Sequence, residues 1–157
     1  MTLHHPIRPL QPSDITLALA LLPHLADFEL PPHRQADDLW HSDAELLKQV
    51  AAGQAQASFA EVMVNDKDQP IGLILVTLRA ELLSHAPSAH LEAIVVSPEC
   101  RGQGHGARLL QHAEDKVRSL GAASLTLHVF ANNLRARGLY DKSGYDSELI
   151  RAIKHLG

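Results

Sequence analysis

The spacing of apolar residues changes period several times along this chain, and the sharpest change lies between residues 91 and 121. Leu91–Val96, "LEAIVV", is a short run rich in β-branched residues and predicts a buried strand. Polar residues and three glycines follow in "SPECRGQGHGA". Then Leu109, Leu110, Ala113, Val117 and Leu120 recur at helical spacing, and Gly121 stands where a helix C-cap glycine belongs. The pattern predicts a strand, a glycine turn and a helix.

The rest of the chain reads as alternating helices and strands without repeats. Ile7–Leu10 predicts a first strand, and "QPSD" supplies capping residues for a helix through Leu22, stopped by Pro23. Residues 27–36, "DFELPPHRQA", predict a proline-bearing loop. Ser42 and Glu45 make an S-x-x-E capping box for a helix ending at Gly53. Ser58–Asn65 and Pro70–Leu78 flank "DKDQ" as an antiparallel hairpin. After the glycine turn and its helix, Ser124–Phe130 alternates with Leu125, Leu127 and Val129 on one face, a further strand. A helix is expected over Leu134–Ser143, closing at Gly144, and a last strand over Leu149–Leu156. The order β-α-α-β-β-β-α-β-α-β implies an α/β (α+β) fold around a mixed sheet.

The glycine turn carries the chemistry. Consecutive N–H groups opening onto a helix N-terminus form a nest of partial positive charge, and glycine removes the Cβ that would keep an anion away. Arg101 adds a full charge at the rim, so a phosphate or diphosphate is the expected guest. Gly102-x-Gly104-x-x-Ala107 formally satisfies the dinucleotide pattern G-x-G-x-x-A. That pattern needs an acidic residue at the end of the next strand to hold a ribose. Here the stretch is His128-Val129-Phe130, with no carboxylate.

The other parse is Arg101-x-x-Gly104-x-Gly106 after a strand ending in "VVSPE", with Asn133, Ala136 and Tyr140 about thirty residues later, then "DKSGY". In these two elements the chain resembles the GNAT superfamily of acetyl-coenzyme A-dependent N-acetyltransferases, in detail over 88–150 and only in element order before that. The resemblance implies a GNAT fold, with helices on both faces of a mixed central sheet and two central strands that splay apart. It implies that the amides of Arg101, Gly102, Gln103, Gly104, His105 and Gly106 grip the diphosphate of coenzyme A. The backbone of a bulged strand around Ile94, Val95 and Val96 would pair with the pantetheine arm, and Asn133 would bond its side. Tyr140 would protonate the leaving thiolate.

A base must take the proton of the attacking amine, since an alkyl ammonium has a pKa of about 10. Glu92, in the strand before the turn, matches the family's water-activating glutamate. His128 is its rival, standing where many relatives carry glutamate, and an ordinary imidazole titrates near neutral pH. Direct transfer needs no protein nucleophile, so Cys100 is expected to be inert. A non-catalytic acyl-coenzyme A sensor on the same fold is the alternative, although a sensor needs neither Tyr140 nor Glu92.

Composition then limits the partners. With 157 residues, 45% of them hydrophobic, the chain is expected to form one domain, 1–157. A net charge of −4 argues against nucleic acid, and no apolar run is long enough to span a membrane. One cysteine and no apolar leader suit the cytoplasm. Eleven histidines lack the spacing of a metal site, so no metal is expected. The acceptor is read as a small-molecule or peptide amine, and a homodimer is compatible with the sequence. Carboxylates in the 27–38 stretch (Asp27, Glu29, Asp37, Asp38) either favour a cationic acceptor or form a solvated loop, and Phe28 and Trp40 either line a pocket or fill a core.

Overall fold

The computed structural model describes residues 4–157. Five strands form one mixed sheet in the order of the chain: β1 (Ile7–Pro9), β2 (Ser58–Val64), β3 (Pro70–Ala80), β4 (Pro87–Val96) and β5 (Leu125–Leu127). The first four are antiparallel to their neighbours, and β5 lies parallel to β4. Helices α1 (Ile15–Leu21) and α2 (His41–Ala51) cover one face, and α3 (His105–Ser119) and α4 (Leu134–Lys142) the other.

Strand alternation divides the core accordingly. Val62, Leu73, Leu75, Ala93 and Val95 pack under Ala18, Leu22 and Leu47 on the α1/α2 side. Met63, Ile74, Val76 and Leu91 meet Leu109, Leu110 and Ala113 on the α3 side. Most of these side chains are fully buried, and each Val, Leu, Ile or Met among them contributes about 1.5–3 kcal/mol through removal of apolar surface from water. A polar anchor adds to the α3 side. Glu61, 4% exposed, accepts from His112 at 2.6 Å and from Lys116 at 3.4 Å, while Lys116 lies 4.4 Å from the Phe59 ring centroid.

The sheet carries one irregularity of consequence. Leu75 pairs with Ala93 and Val76 with Leu91, so Glu92 is an extra residue without a partner on β3. It is a β-bulge, and it lies at Glu92, two residues ahead of the Ile94–Val96 stretch. Before the bulge Ala89 and Leu91 face α3; after it Ala93 and Val95 face α1 and α2. Glu92 and Ala93 therefore share the α1/α2 face.

Several element boundaries depart from expectation. Pro23 does not stop the first helix but tightens it into a 3-10 segment, Leu22–Ala26. Ser42 lies inside α2 rather than at its cap; instead Asp38 accepts from the Gln35 N–H at 2.8 Å and opens the 3-10 turn Ala36–Leu39 ahead of it. The strand expected over Ser124–Phe130 is only Leu125–Leu127, because its pairing with β4 ends at Leu91–Leu127. No strand forms over Leu149–Leu156. Leu149, Ile150, Ile153 and Leu156 do not alternate, have no neighbouring strand, and stay exposed.

Candidate active site

The nest is built as the glycine pattern demands. A 3-10 turn, Pro98–Cys100, leads from β4 into Arg101, and α3 begins after Gly104. Gly102 and Gly104 have φ of +78° and +81°, the left-handed region that side chains with a Cβ resist, and a Cβ at either would meet no protein atom within 4 Å. The concavity is therefore open. The Arg101 N–H, expected in the nest, instead donates to the Pro98 carbonyl at 3.4 Å and closes the 3-10 turn, whereas none of the N–H groups from Gly102 to Ala107 finds a backbone acceptor among the described residues. They point to an anion at the positive end of a fifteen-residue helix.

Beside the nest, β4 and β5 part. They pair only through Ala89–Leu125, His90–Thr126 and Leu91–Leu127, which leaves the Glu92–Val96 edge of β4 without a partner. On the α1/α2 face the paired region is a polar ladder: Ser88 with Ser124 at 2.7 Å, and the Nδ1 of His90 with the Thr126 hydroxyl at 2.8 Å. The His128 ring lies against His90, centroids 4.8 Å apart. Burial, with the charges of Arg79 and His128 beside it, lowers His90 to a pKa of about 4, so it stays neutral.

The opening leads into a cleft of about 370 Å³ that joins the nest, the free β4 edge and the side of α2. It brings together every candidate residue except Gln103, which lies in the exposed turn at its rim. Glu92 and the exposed His128 come from β4 and the chain after β5, and Tyr140 comes from α4 across the opening. Tyr140 is 8% exposed, and burial raises its phenol to about 12, so it keeps its proton at neutral pH. Asn133 caps α4: its Oδ1 accepts from the Ala136 N–H at 3.4 Å. Cys100 also lines the cleft.

Three polar, ionisable residues at the cleft were not singled out in the sequence. Asp43, on the first turn of α2, is raised to about 7 by burial and then by the charge of Glu92, which faces it. Arg135 and His24 line the wall near the nest. Nothing in the local sequence of these three marks them, since α2, the 22–26 segment and α4 reach the cleft only through the tertiary fold. Of the 27–38 stretch, Phe28 lines the cleft and packs on Phe130 at 5.7 Å, while Asp27 bonds Arg101 at its rim. Glu29, Asp37 and Asp38 do not line it, and Trp40 packs into the α1/α2 core.

Among the described residues no group of three or more His, Cys, Asp or Glu side chains could hold a metal ion, and no helix is long and apolar enough to cross a membrane.

Comparison with known proteins agrees with this geometry. The sequence is 34% identical over 84 residues to peptidyl-lysine N-acetyltransferase YjaB of Salmonella typhimurium, which covers 54% of this chain and 48% of that protein. The chain thus spans about half the length of that relative. It is 29% identical over 142 residues to the Bacillus subtilis N-acetyltransferase YhfO, 90% of each chain. The fold superimposes on AAC(6')-Iy, solved in complex with the bisubstrate analog CoA-S-monomethyl-acetylneamine, with a TM-score of 0.72 at 20% identity over 99% of both chains. The sequence profile of the Acetyltransferase (GNAT) family matches residues 22–145, the stretch that contains the nest, the parted strands and Tyr140. With nest, opening and profile coinciding in one stretch, the chain belongs to the GNAT acetyltransferase family.

Proposed function

We propose that this protein transfers an acetyl group from acetyl-coenzyme A to a primary amine by direct attack, with both substrates in the cleft together. The observation that carries this reading is the joining, in one cavity, of an open nest of free amides, an unpaired strand edge, and two proton-handling groups on opposite walls. The residues fit the cosubstrate. Free amides from Gly102 to Ala107 suit its diphosphate, and the free backbone of Ile94–Val96 suits an amide-bearing arm laid along it like an added strand. Asn133 lines the same cleft, and its Nδ2, which makes no hydrogen bond among the described residues, would bond the side of that arm. Acetyl-coenzyme A supplies an activated acyl group on a thiolate leaving group.

The chain's own groups divide the remaining work. Glu92 takes the amine proton, directly or through one water, and the carboxyl of Asp43, raised to about 7, stands beside it on the acceptor wall as a second group that can hydrogen-bond the amine. A β4 backbone N–H near the bulge stabilises the charge that develops on the carbonyl oxygen. Tyr140, protonated across the neutral range, gives its proton to the departing sulfur. Peptidyl-lysine, named for a relative, and aminoglycoside, named for a protein of the same fold, both offer amines, which supports an amine acceptor here. Retention of both Glu92 and Tyr140 in the cleft favours catalysis over a sensor, which would need only the nest.

The test is an amine screen that follows release of free thiol from acetyl-coenzyme A. Turnover with at least one primary amine, together with appearance of its acetylated product, is expected. Tight coenzyme A binding with no turnover across polyamines, amino acids, aminoglycosides and lysine peptides would favour the sensor.

A further inference from the structure

The first turn of α3 holds an arginine that the nest does not use. Arg108 lies where the helix dipole disfavours a cation. Its Nη1 is buried and has no hydrogen-bond partner among the described residues, and its Nη2 reaches only the ring of His4, at 3.4 Å. A half-buried guanidinium with one nitrogen shut off from water ordinarily has a carboxylate beside it. This one has a histidine. On the same helix face stands His105, which is 4% exposed and lines the cleft, and both of its ring nitrogens are buried without a partner among the described residues. His5 packs edge-on against it, centroids 5.2 Å apart. Burial, then the charges of His5 and Arg108, lower the proton affinity of His105, so the ring is neutral with one N–H to give.

Three buried polar atoms in one turn thus lack hydrogen-bond partners among the described residues, and leaving such atoms unpaired is costly. A ligand with several acceptor oxygens and a negative charge would satisfy the arginine and the imidazole N–H together. Tetrahedral phosphate is the match, since a guanidinium fork grips it with two parallel bonds. The turn also adjoins the diphosphate nest. The phosphate that coenzyme A carries next along its length is the monoester on the ribose 3′-oxygen. We infer that Arg108 and His105 form a second anion subsite that takes the 3′-phosphate of coenzyme A. The inference rests on the acetyl-coenzyme A reading above.

Calorimetry with coenzyme A and with 3′-dephospho-coenzyme A tests it, on the wild type, Arg108→Gln, Arg108→Lys and His105→Asn. The wild type is expected to bind coenzyme A at least about tenfold more tightly than the dephospho compound. Arg108→Gln should reduce that ratio to below about threefold while leaving affinity for the dephospho compound nearly unchanged; Arg108→Lys, which keeps charge but not the fork, should fall between. His105→Asn should lower the ratio in the same direction. Arg118→Gln is the control, because Arg118 sits in the last turn of α3 paired to Asp115 at 3.0 Å and should leave the ratio as it was. A wild-type ratio near one, an equal weakening of both compounds by Arg108→Gln, or an Arg118→Gln effect as large as that of Arg108→Gln would overturn the subsite. If the wild type bound neither compound, the acetyl-coenzyme A reading would fall, and the subsite with it. Melting of each unliganded variant separates loss of the subsite from loss of the fold.

Discussion

The Oδ2 atom of Asp27 lies 3.0 Å from Nη2 of Arg101 and also accepts from Nδ1 of His24 at 2.8 Å. Burial works against ionisation of Asp27, but the bonds from His24 and Arg101 outweigh it and hold the carboxyl below the usual value. The arginine at the rim of the nest thus has a counter-ion already, on the segment that precedes Phe28. A diphosphate bound in the nest as proposed would compete with Asp27 for Arg101.

That competition sets the sign of a first prediction. Asp27→Asn should tighten coenzyme A binding by about 1.4- to fivefold, the worth of a partly exposed ion pair of roughly 0.2–1 kcal/mol. Calorimetry at two salt concentrations measures it, with Glu29→Gln as a control for general charge, since Glu29 makes no contact with Arg101. Weaker binding by Asp27→Asn would mean that the carboxylate aims the guanidinium rather than competing for it.

Tyr140→Phe keeps the ring in its place against Tyr145, 5.9 Å between centroids, but removes the proton. Turnover is expected to fall by about 10² or more with coenzyme A affinity unchanged. Normal turnover by this variant would assign protonation of the sulfur to water.

Glu92→Gln and His128→Gln distinguish the two candidate bases through the pH profile of kcat/KM on one acceptor. With Glu92 as base, Glu92→Gln should slow the reaction across the neutral range and steepen its rise with pH, because only amine already neutral reacts. The same variant removes the charge that helps raise Asp43, so the Asp43 carboxyl should titrate lower, which carbon-detected NMR can follow. A large effect from His128→Gln with none from Glu92→Gln would transfer the role to the imidazole.

Asp43 also makes a prediction about stability. Its folded-state pKa lies near 7, above the ordinary 3.8, so folding favours the protonated form. The contribution is complete below about pH 4 and is lost as pH rises through about 7. Relative to Asp43→Asn, the wild type should lose thermal stability over that window, read as the difference in Tm between the two proteins at each pH. Parallel Tm curves from pH 4 to pH 8 would show that Asp43 is better solvated than its position beside Glu92 implies.

What was legible in the sequence was whatever local chemistry imposes. The glycines at 102, 104 and 106 announced an open turn, and the spacing from Leu109 to Leu120 announced the helix behind it. The hairpin of β2 and β3 followed from two apolar runs around a polar turn. Less local features were harder to read. Asp43 gives no sign of its partner, because only packing of α2 on the sheet brings it to Glu92. Ser42 and Glu45 spelled a capping box, yet Asp38 upstream bonded a backbone N–H first and set the chain's entry into α2. The 149–156 segment has the apolar content of a strand, but a strand needs a neighbour, and β5 ends after three residues.

The bulge at Glu92 acts as a phase shifter. One surplus residue moves everything downstream on β4 half a cycle relative to everything upstream, so a single strand can show Leu91 to α3 and Ala93 to α2. Substitutions in this stretch change one contact at a time. Loss or gain of one residue between Pro87 and Val96 would instead invert the polarity of half the strand, exchanging the small Ala93 and the mid-sized Val95 with Ile94 and Val96 and turning the carboxylate away from the cleft. Length here is therefore constrained more tightly than identity: β4 can drift in sequence but not in number.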